Sequence, residues 1–141
     1  MKTFKLISLE VLEKYGDELQ SKEIDLFDGL IIDREVDSKR WLIECYIPKK
    51  NMEFFKEKKS KNQEIVVQVR ITKQTNPKAT IVAMVRDVNE IEEHMNVILM
   101  GNMVNREREQ VEKMLQELIE AGYQGESLLN KFKSKNQESF F

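Results

Sequence analysis

Histidine and cysteine are frequent catalytic and metal-binding residues, and this sequence contains one of each, His94 and Cys45. A metal site needs several ligands at characteristic spacing, and a general base needs a partner that orients it. One residue of each type, far apart in sequence, supplies neither, and adjacent carboxylates such as Glu92 and Glu93 point apart on a strand. Cys45 shares strand parity with Trp41, which predicts a buried, inert thiol. We therefore expect no enzyme, no catalytic residue, no metal site and no cofactor.

The distribution of charge carries a stronger signal. Residues 49–62 contain six lysines and two glutamates, a local charge of +4, whereas residues 87–126 contain ten acidic and three basic side chains, a local charge of −7. Such asymmetry would steer an acidic partner to the lysines, or dock one copy head to tail on another. The alternative is a solvated helix face and loop. The candidate interaction residues are Lys49, Lys50, Lys56, Lys58, Lys59 and Lys61.

Net charge and apolar runs limit the partners and the location. The net charge is −2 and the isoelectric point is about 5.6. This argues against nucleic acid as the partner, because phosphate binding needs clustered excess lysine and arginine. A lone cysteine excludes an internal disulfide. Glu10 and Glu13 interrupt the N-terminal stretch that would otherwise resemble a signal peptide, and no apolar run approaches the ~20 residues of a membrane span. The sequence predicts a soluble cytoplasmic protein.

Alternating apolar residues predict six β-strands. The clearest alternation runs through Gln63–Lys73, because successive side chains of a strand point to opposite faces. Thr3–Leu12 is ambiguous, since its parity changes midway and a helix is the competing interpretation. Asp28–Gly29 indicates a bulge or sharp bend, and polar Tyr15–Glu23 is expected to be a loop. The predicted strands are Thr3–Leu12, Ile24–Asp33, Arg40–Ile47, Gln63–Lys73, Ala79–Val88 and His94–Gly101. Shared parity predicts one core that contains Trp41, Ile43, Ile65, Val67, Val69 and Ile71.

The apolar period changes to three and four residues in two regions, which predicts helices. Asn51 is the expected N-cap of a short helix over Met52–Lys59. A longer helix follows Gly101 and ends at Gly122, and a shorter one covers Glu126–Lys133. Their short connection predicts an antiparallel pair, packed through Val111, Met114, Leu115, Leu118 and Ile119 against Leu128, Leu129 and Phe132. We expect this pair to cover outward residues of the last two strands, either Val82, Met84 and Val88 or Ile98 and Met100.

Together these elements predict a mainly β chain of the α+β type. An antiparallel β-barrel or strongly curved sheet, with about six strands and a short helix, is expected over residues 1–101. A helical pair is expected over residues 102–134 and a tail over residues 135–141.

Four segments carry a family resemblance: MKTFKLISLEVLEKY at the start, DGLIIDRE (28–35), WLIECYI (41–47) and VQVRITK (67–73). They resemble the YwpF-like family of Gram-positive bacteria. The resemblance implies a closed β-barrel followed by a two-helix pair, with a barrel similar to the tube-forming protein of type VI secretion. The family has no established biochemical activity, so it assigns no functional residues to this chain.

Three classes of function are compatible with such a barrel. A non-enzymatic structural or interaction module needs no special residues, and its partner would be another protein or a second copy. A barrel that holds a small apolar ligand is the alternative, although six strands leave an interior filled by side chains. An OB-like nucleic-acid-binding module is disfavoured by the acidic isoelectric point. The sequence favours the interaction module.

Overall fold

The computed structural model describes residues 1–104 and 108–138 of the chain. The described part contains seven strands and three α-helices, the first of which follows a short 3₁₀ turn at Lys49–Asn51. The strands are β1 (Lys2–Tyr15), β2 (Glu18–Ile24), β3 (Asp28–Asp33), β4 (Trp41–Pro48), β5 (Glu64–Ile71), β6 (Ala79–Ile91) and β7 (His94–Val104). The helices are α1 (Met52–Ser60), α2 (Arg108–Glu120) and α3 (Gly125–Glu138).

Six of the strands form a closed antiparallel barrel in the order β1–β3–β4–β7–β6–β5, and the pairing of β5 with β1 closes it. Each of the six predicted strands supplies one barrel strand, so the predicted barrel is confirmed. Strand β2 lies outside the barrel and pairs with the second half of β1. Closure leaves no free edge within the barrel itself, where an open sheet of this length would present two.

Strand β2 corrects the prediction of a loop over Tyr15–Glu23. A turn at Gly16 and Asp17 joins β1 to β2 as a hairpin. Most of β2 is exposed, and its two apolar residues, Leu19 and Ile24, lie five positions apart and give no apolar alternation. The strand predicted over Ile24–Asp33 is correspondingly divided, because β2 ends at Ile24 and β3 begins at Asp28.

Gly29 allows a close approach between neighbouring strands. A Cβ atom on this residue would lie 2.9 Å from Cδ2 of Leu6 and 3.1 Å from the carbonyl oxygen of Glu44. The bulge or bend predicted at Asp28–Gly29 is absent from the paired part of β3, because every residue from Asp28 to Asp33 is paired with β4 in a regular register. The glycine is needed for space between strands.

Two register shifts lie in the barrel, one in β1 between Leu6 and Ser8 and one in β6 between Val85 and Asp87. Each inserts one residue, and therefore moves the following residues to the opposite face. In β1 the inward-facing positions change from even-numbered before the shift, at Leu6, to odd-numbered after it, at Leu9 and Val11. This explains the mixed parity of the N-terminal segment, and the predicted strand there is confirmed.

Apolar side chains fill the barrel interior, and α1 covers one end with the fully buried ring of Phe55. The ring of Phe54 packs edge-on against it at 5.0 Å. Asn51 precedes α1 as predicted, but its side chain donates a hydrogen bond to the carbonyl of Pro48 and does not cap the helix. The predicted single core is confirmed, with Trp41 and Ile71 partly buried at its margin. The buried members are Leu6, Leu9, Val11, Ile24, Ile31, Ile43, Cys45, Ile47, Phe55, Ile65, Val67, Val69, Ile81, Ala83, Val85, Met95, Val97 and Leu99.

The helical pair forms a second core against the outer wall of the barrel. Gly122, at φ 97°, ends α2: its N–H donates to the carbonyl of Ile119, and the N–H of Tyr123 donates to that of Leu118. Helix α3 continues to Glu138, beyond the predicted end of the pair, and residues 139–141 of the predicted tail lie outside the described part. The buried residues of this second core are Leu12, Val66, Val82, Val111, Leu115, Leu118, Ile119, Leu128 and Phe132.

The surface that the pair covers differs in part from the prediction. It lies on β1, β5 and β6, and of the predicted contacts it includes Val82. The side chain of Val88 packs on the barrel interior, because the register shift in β6 turns the residues after it to the opposite face of the strand. Ile98 and Met100 belong to neither core. Gln116 of α2 fixes the β1–β2 hairpin by accepting a hydrogen bond from the N–H of Leu19 at 3.0 Å.

Val67→Asp tests the interior. Val67 is fully buried, so aspartate would lose about 1.5–3 kcal/mol of apolar burial and place an unpaired carboxylate in the core. We expect the free energy of unfolding to fall by at least about 3 kcal/mol in urea titration. Val36→Asp, on a valine that is 42% exposed, is the matched control and should change stability by less than about 0.5 kcal/mol. Equal effects of the two substitutions would contradict an inward-facing Val67.

Candidate functional site

The predicted lysines surround α1, and the structure pairs most of them within the chain. Lys49 forms an ion pair with Glu90, and Nζ of Lys59 lies 3.6 Å from Oδ1 of Asp87. The hydrogen bond from Lys49 lowers the pKa of Glu90. The pKa of Asp87 is also lowered, first by a hydrogen bond from Asn89 and to a smaller extent by Lys59. The basic segment and the start of the acidic segment therefore meet within one molecule.

The remaining lysines complete this arrangement. Lys58 lies 3.3 Å from Glu13 of β1, where both side chains are about one fifth exposed. Lys50 lies 3.7 Å from Asp25. Lys61 lies 2.7 Å from Glu57, one helical turn away, and lowers the pKa of that carboxyl. The positive charge of Lys56 also lowers the pKa of Glu90, after the larger effect of Lys49.

These pairs give the lysine segment an intramolecular role. They connect α1 to β1, to β6 and to the connection between β2 and β3, and so hold the helix over the barrel end. Exposed pairs of this kind contribute little individually. Their common effect is to neutralise the local excess of positive charge. Binding of an acidic partner by these six lysines stays a prediction.

His94 lies in an aromatic cluster. Its ring is 4.5 Å from that of Phe27, in a T-shaped contact, and 4.9 Å from that of Tyr46. Among the described residues it makes no hydrogen bond or ion pair that would orient it as a general base. Phe27 is 57% exposed, so the cluster borders solvent at the end of the barrel next to α1.

Cys45 is fully buried in the barrel interior. Its thiol donates a weak hydrogen bond to the carbonyl of Val97, at 3.7 Å. Burial raises the pKa of this thiol to about 12, so the reactive thiolate is scarce at neutral pH. His94 and Cys45 are not brought together. Within residues 1–104 and 108–138, no three His, Cys, Asp or Glu side chains are grouped to hold a metal ion.

A polar block on the outer wall was missed by the sequence analysis. Glu10 of β1 is opposite Gln68 of β5, and Gln68 is opposite Thr80 of β6. All three are buried, and Lys78 forms an ion pair with Glu10. Ser21 donates a hydrogen bond of 2.7 Å to the same carboxylate. The block connects β2 and the β5–β6 turn to β1. Its signal in the sequence is a polar residue between two inward apolar residues, Glu10 between Leu9 and Val11 and Gln68 between Val67 and Val69.

An apolar strip on the outside of the barrel is the second feature that was missed as a site. Ile32 is directly opposite Leu42, Leu42 is opposite Met100, and Met100 is opposite Met84, across four adjacent strands. Arg86 extends over this strip, with its Nη1 2.8 Å from Sδ of Met100. Leu30 and Ile98 lie in the next row, on either side of Glu44. We call Leu30, Ile32, Leu42, Met84, Ile98 and Met100 the open face; except for Met100, which is buried, they are half-buried.

None of the helices in the described ranges is long and apolar enough to cross a bilayer.

The family model described as YwpF-like protein matches residues 2–135 of the chain. The chain is 38% identical over 135 residues to the uncharacterized protein YwpF of Bacillus subtilis (strain 168), and the match covers 96% of this chain and 99% of that protein. It is also similar to the crystal structure of a hypothetical protein from Staphylococcus aureus. That similarity has a TM-score of 0.72 and 27% identity, and covers 97% of this chain and 95% of the other.

The surroundings of Cys45 make its reactivity predictable. In the native protein at pH 7.5 we expect a thiol reagent such as 5,5′-dithiobis(2-nitrobenzoate) to label it at least about 100-fold more slowly than in denaturant, because burial restricts access and disfavours the thiolate. The release of the chromophore measures the rate, and the denatured chain is the control. Native labelling at the denatured rate would show that the thiol is accessible and would reopen the question of a catalytic cysteine.

Proposed function

We propose that this chain, which belongs to the YwpF-like family, is a non-enzymatic interaction module that associates with a second copy of itself through the open face. The observation that carries the proposal is the position of this apolar strip. The helical pair covers the wall formed by β1, β5 and the start of β6, while β3, β4, β7 and Met84 of β6 carry the strip on their outward side. Contiguous apolar patches with a polar rim are typical of protein-binding surfaces.

The rim of the open face favours a second copy as the partner. Ile98 lies between Glu44 of β4 and Asp87 of β6, and Leu30 is opposite Lys5 of β1. With Arg86, the rim therefore carries charges of both signs. A two-fold axis brings a surface against itself, so an apolar centre with a mixed rim is self-complementary. Six residues are the centre of a small interface, and we expect a dissociation constant of roughly micromolar or weaker.

The non-enzymatic part of the proposal is supported by the two reactive residues. Cys45 is enclosed in the interior, and His94 contacts aromatic rings. The packed interior also argues against a ligand inside the barrel. The similarity of the barrel to the tube-forming protein of type VI secretion stays a prediction. Association between copies would agree with it. The cytoplasmic location also stays a prediction.

Sedimentation velocity over a range of protein concentrations tests the association. We expect the wild type to shift from monomer to dimer as its concentration rises. Ile98→Lys should weaken this association at least about tenfold, because it places a charge in the apolar contact, where the charge loses its hydration. Gln20→Lys, which also adds one lysine on a strand but on exposed β2, is the matched control.

A wild type that stays monomeric at millimolar concentration would contradict self-association, and so would a dimer that Ile98→Lys leaves intact. If Ile98→Lys instead abolished binding of a different protein to a monomeric wild type, the open face would be an interface for that partner and the second copy would be the wrong occupant.

A further inference from the structure

A cleft of about 430 Å³ lies outside the barrel, between its wall and the helical pair. One side is formed by the arms of the β1–β2 hairpin, and another by the end of α1 and the start of β5. The turn between α2 and α3 and the first turn of α3 complete it. Volumes of this size are typical of small-molecule sites, and none of the open-face residues lines the cleft.

The floor of the cleft is apolar because it reaches the second core. Leu12 and Val66 come from the barrel wall, and Leu115 comes from α2. Leu19 of β2 and the start of α3 contribute the remaining apolar surface, with Leu128 and Leu129. Unlike the barrel interior, this second core is therefore open to solvent on one side. A ligand with an apolar body would cover leucine surface that now faces water.

The rim of the cleft supplies cations. Lys14, Lys58 and Lys61 all line it. The ammonium group of Lys14 makes no hydrogen bond or ion pair with another residue in the described ranges. The carboxylate of Glu64 is occupied by Lys133, at 2.7 Å, and that of Glu13 by Lys58. Two of the three acidic lining residues are thus already paired. The third, Glu126, is exposed in the first turn of α3, and Lys14 on β1 is available to a ligand.

We propose that this cleft binds a single-chain amphiphile with a carboxylate head group, such as a medium-chain fatty acid. The chain lies on the leucine floor, and the carboxylate accepts hydrogen bonds from Lys14 at the rim. Charge-assisted contacts of this type are stronger than neutral ones. Lys58 and Lys61 are already paired with Glu13 and Glu57, so the discrimination rests on Lys14, where a positively charged head group would meet a like charge.

Titration of the full chain with dodecanoate below its micelle concentration tests the site, with native mass spectrometry for stoichiometry and thermal unfolding for affinity. We expect saturable 1:1 binding and a rise in melting temperature, because a ligand bound to the native state stabilises it. Dodecyltrimethylammonium, with the same chain and the opposite charge, should bind at least about tenfold more weakly.

Two variants locate the binding. Leu19→Trp should fill the cleft and abolish binding, and its melting temperature reports whether it folds. Lys14→Glu lies at the rim, so it should fold normally and bind dodecanoate at least about threefold more weakly. Lys73→Glu, an exposed charge reversal in the β5–β6 turn, is the matched control and should bind as wild type does.

The proposal is overturned by non-saturable uptake of several dodecanoate molecules, by equal affinity for the cationic amphiphile, or by wild-type affinity in Lys14→Glu. Ile98→Lys should retain binding, since the open face is on another part of the barrel. Failure of self-association and failure of the cleft are therefore distinguishable.

Discussion

The pairing of β1 with β5 is the constraint on which the rest of the structure depends. Strand β1 is 14 residues long and pairs with β3 near its start, with β2 in its second half and with β5 along its other edge. This pairing converts a sheet into a barrel whose interior is filled by side chains. The barrel therefore presents its outer surface to its surroundings. The helical pair, the polar block and the open face divide that surface among them.

The two register shifts decide which residues take part in each surface. In β1 the shift keeps Leu6 and Leu9 in the interior and turns Glu10 outward. In β6 it places Val85 and Val88 in the interior and leaves Arg86 exposed beside the open face. Each inserted residue thus allows a long strand to change which of its faces is apolar while both neighbours remain paired. The outer wall gains its polar and apolar areas in this way.

Much of the fold follows from local sequence, and the rest depends on contacts between distant segments. Clean alternation in β5 and the 3.6-residue period of α2 were sufficient to predict both elements. Strand β2 was not predictable, because a strand with two solvated faces has no apolar pattern. The ion pair of Lys49 with Glu90 joins residues far apart in sequence, so charge counts alone suggested a partner for lysines that are paired within the chain. The cleft likewise requires the α2–α3 turn to lie beside the β1–β2 hairpin, which no local pattern encodes.

Native-state hydrogen exchange measured residue by residue by NMR tests barrel closure most directly. If β1 and β5 are paired, the amides that they donate to each other between Leu6 and Leu12 of β1 and Val66 and Ile71 of β5 should be as protected as those between β4 and β7, since both exchange only through global opening. An open sheet would leave one edge of β1 and one edge of β5 in solvent. Rapid exchange of those amides, with the β4–β7 amides still protected, would contradict the closed barrel.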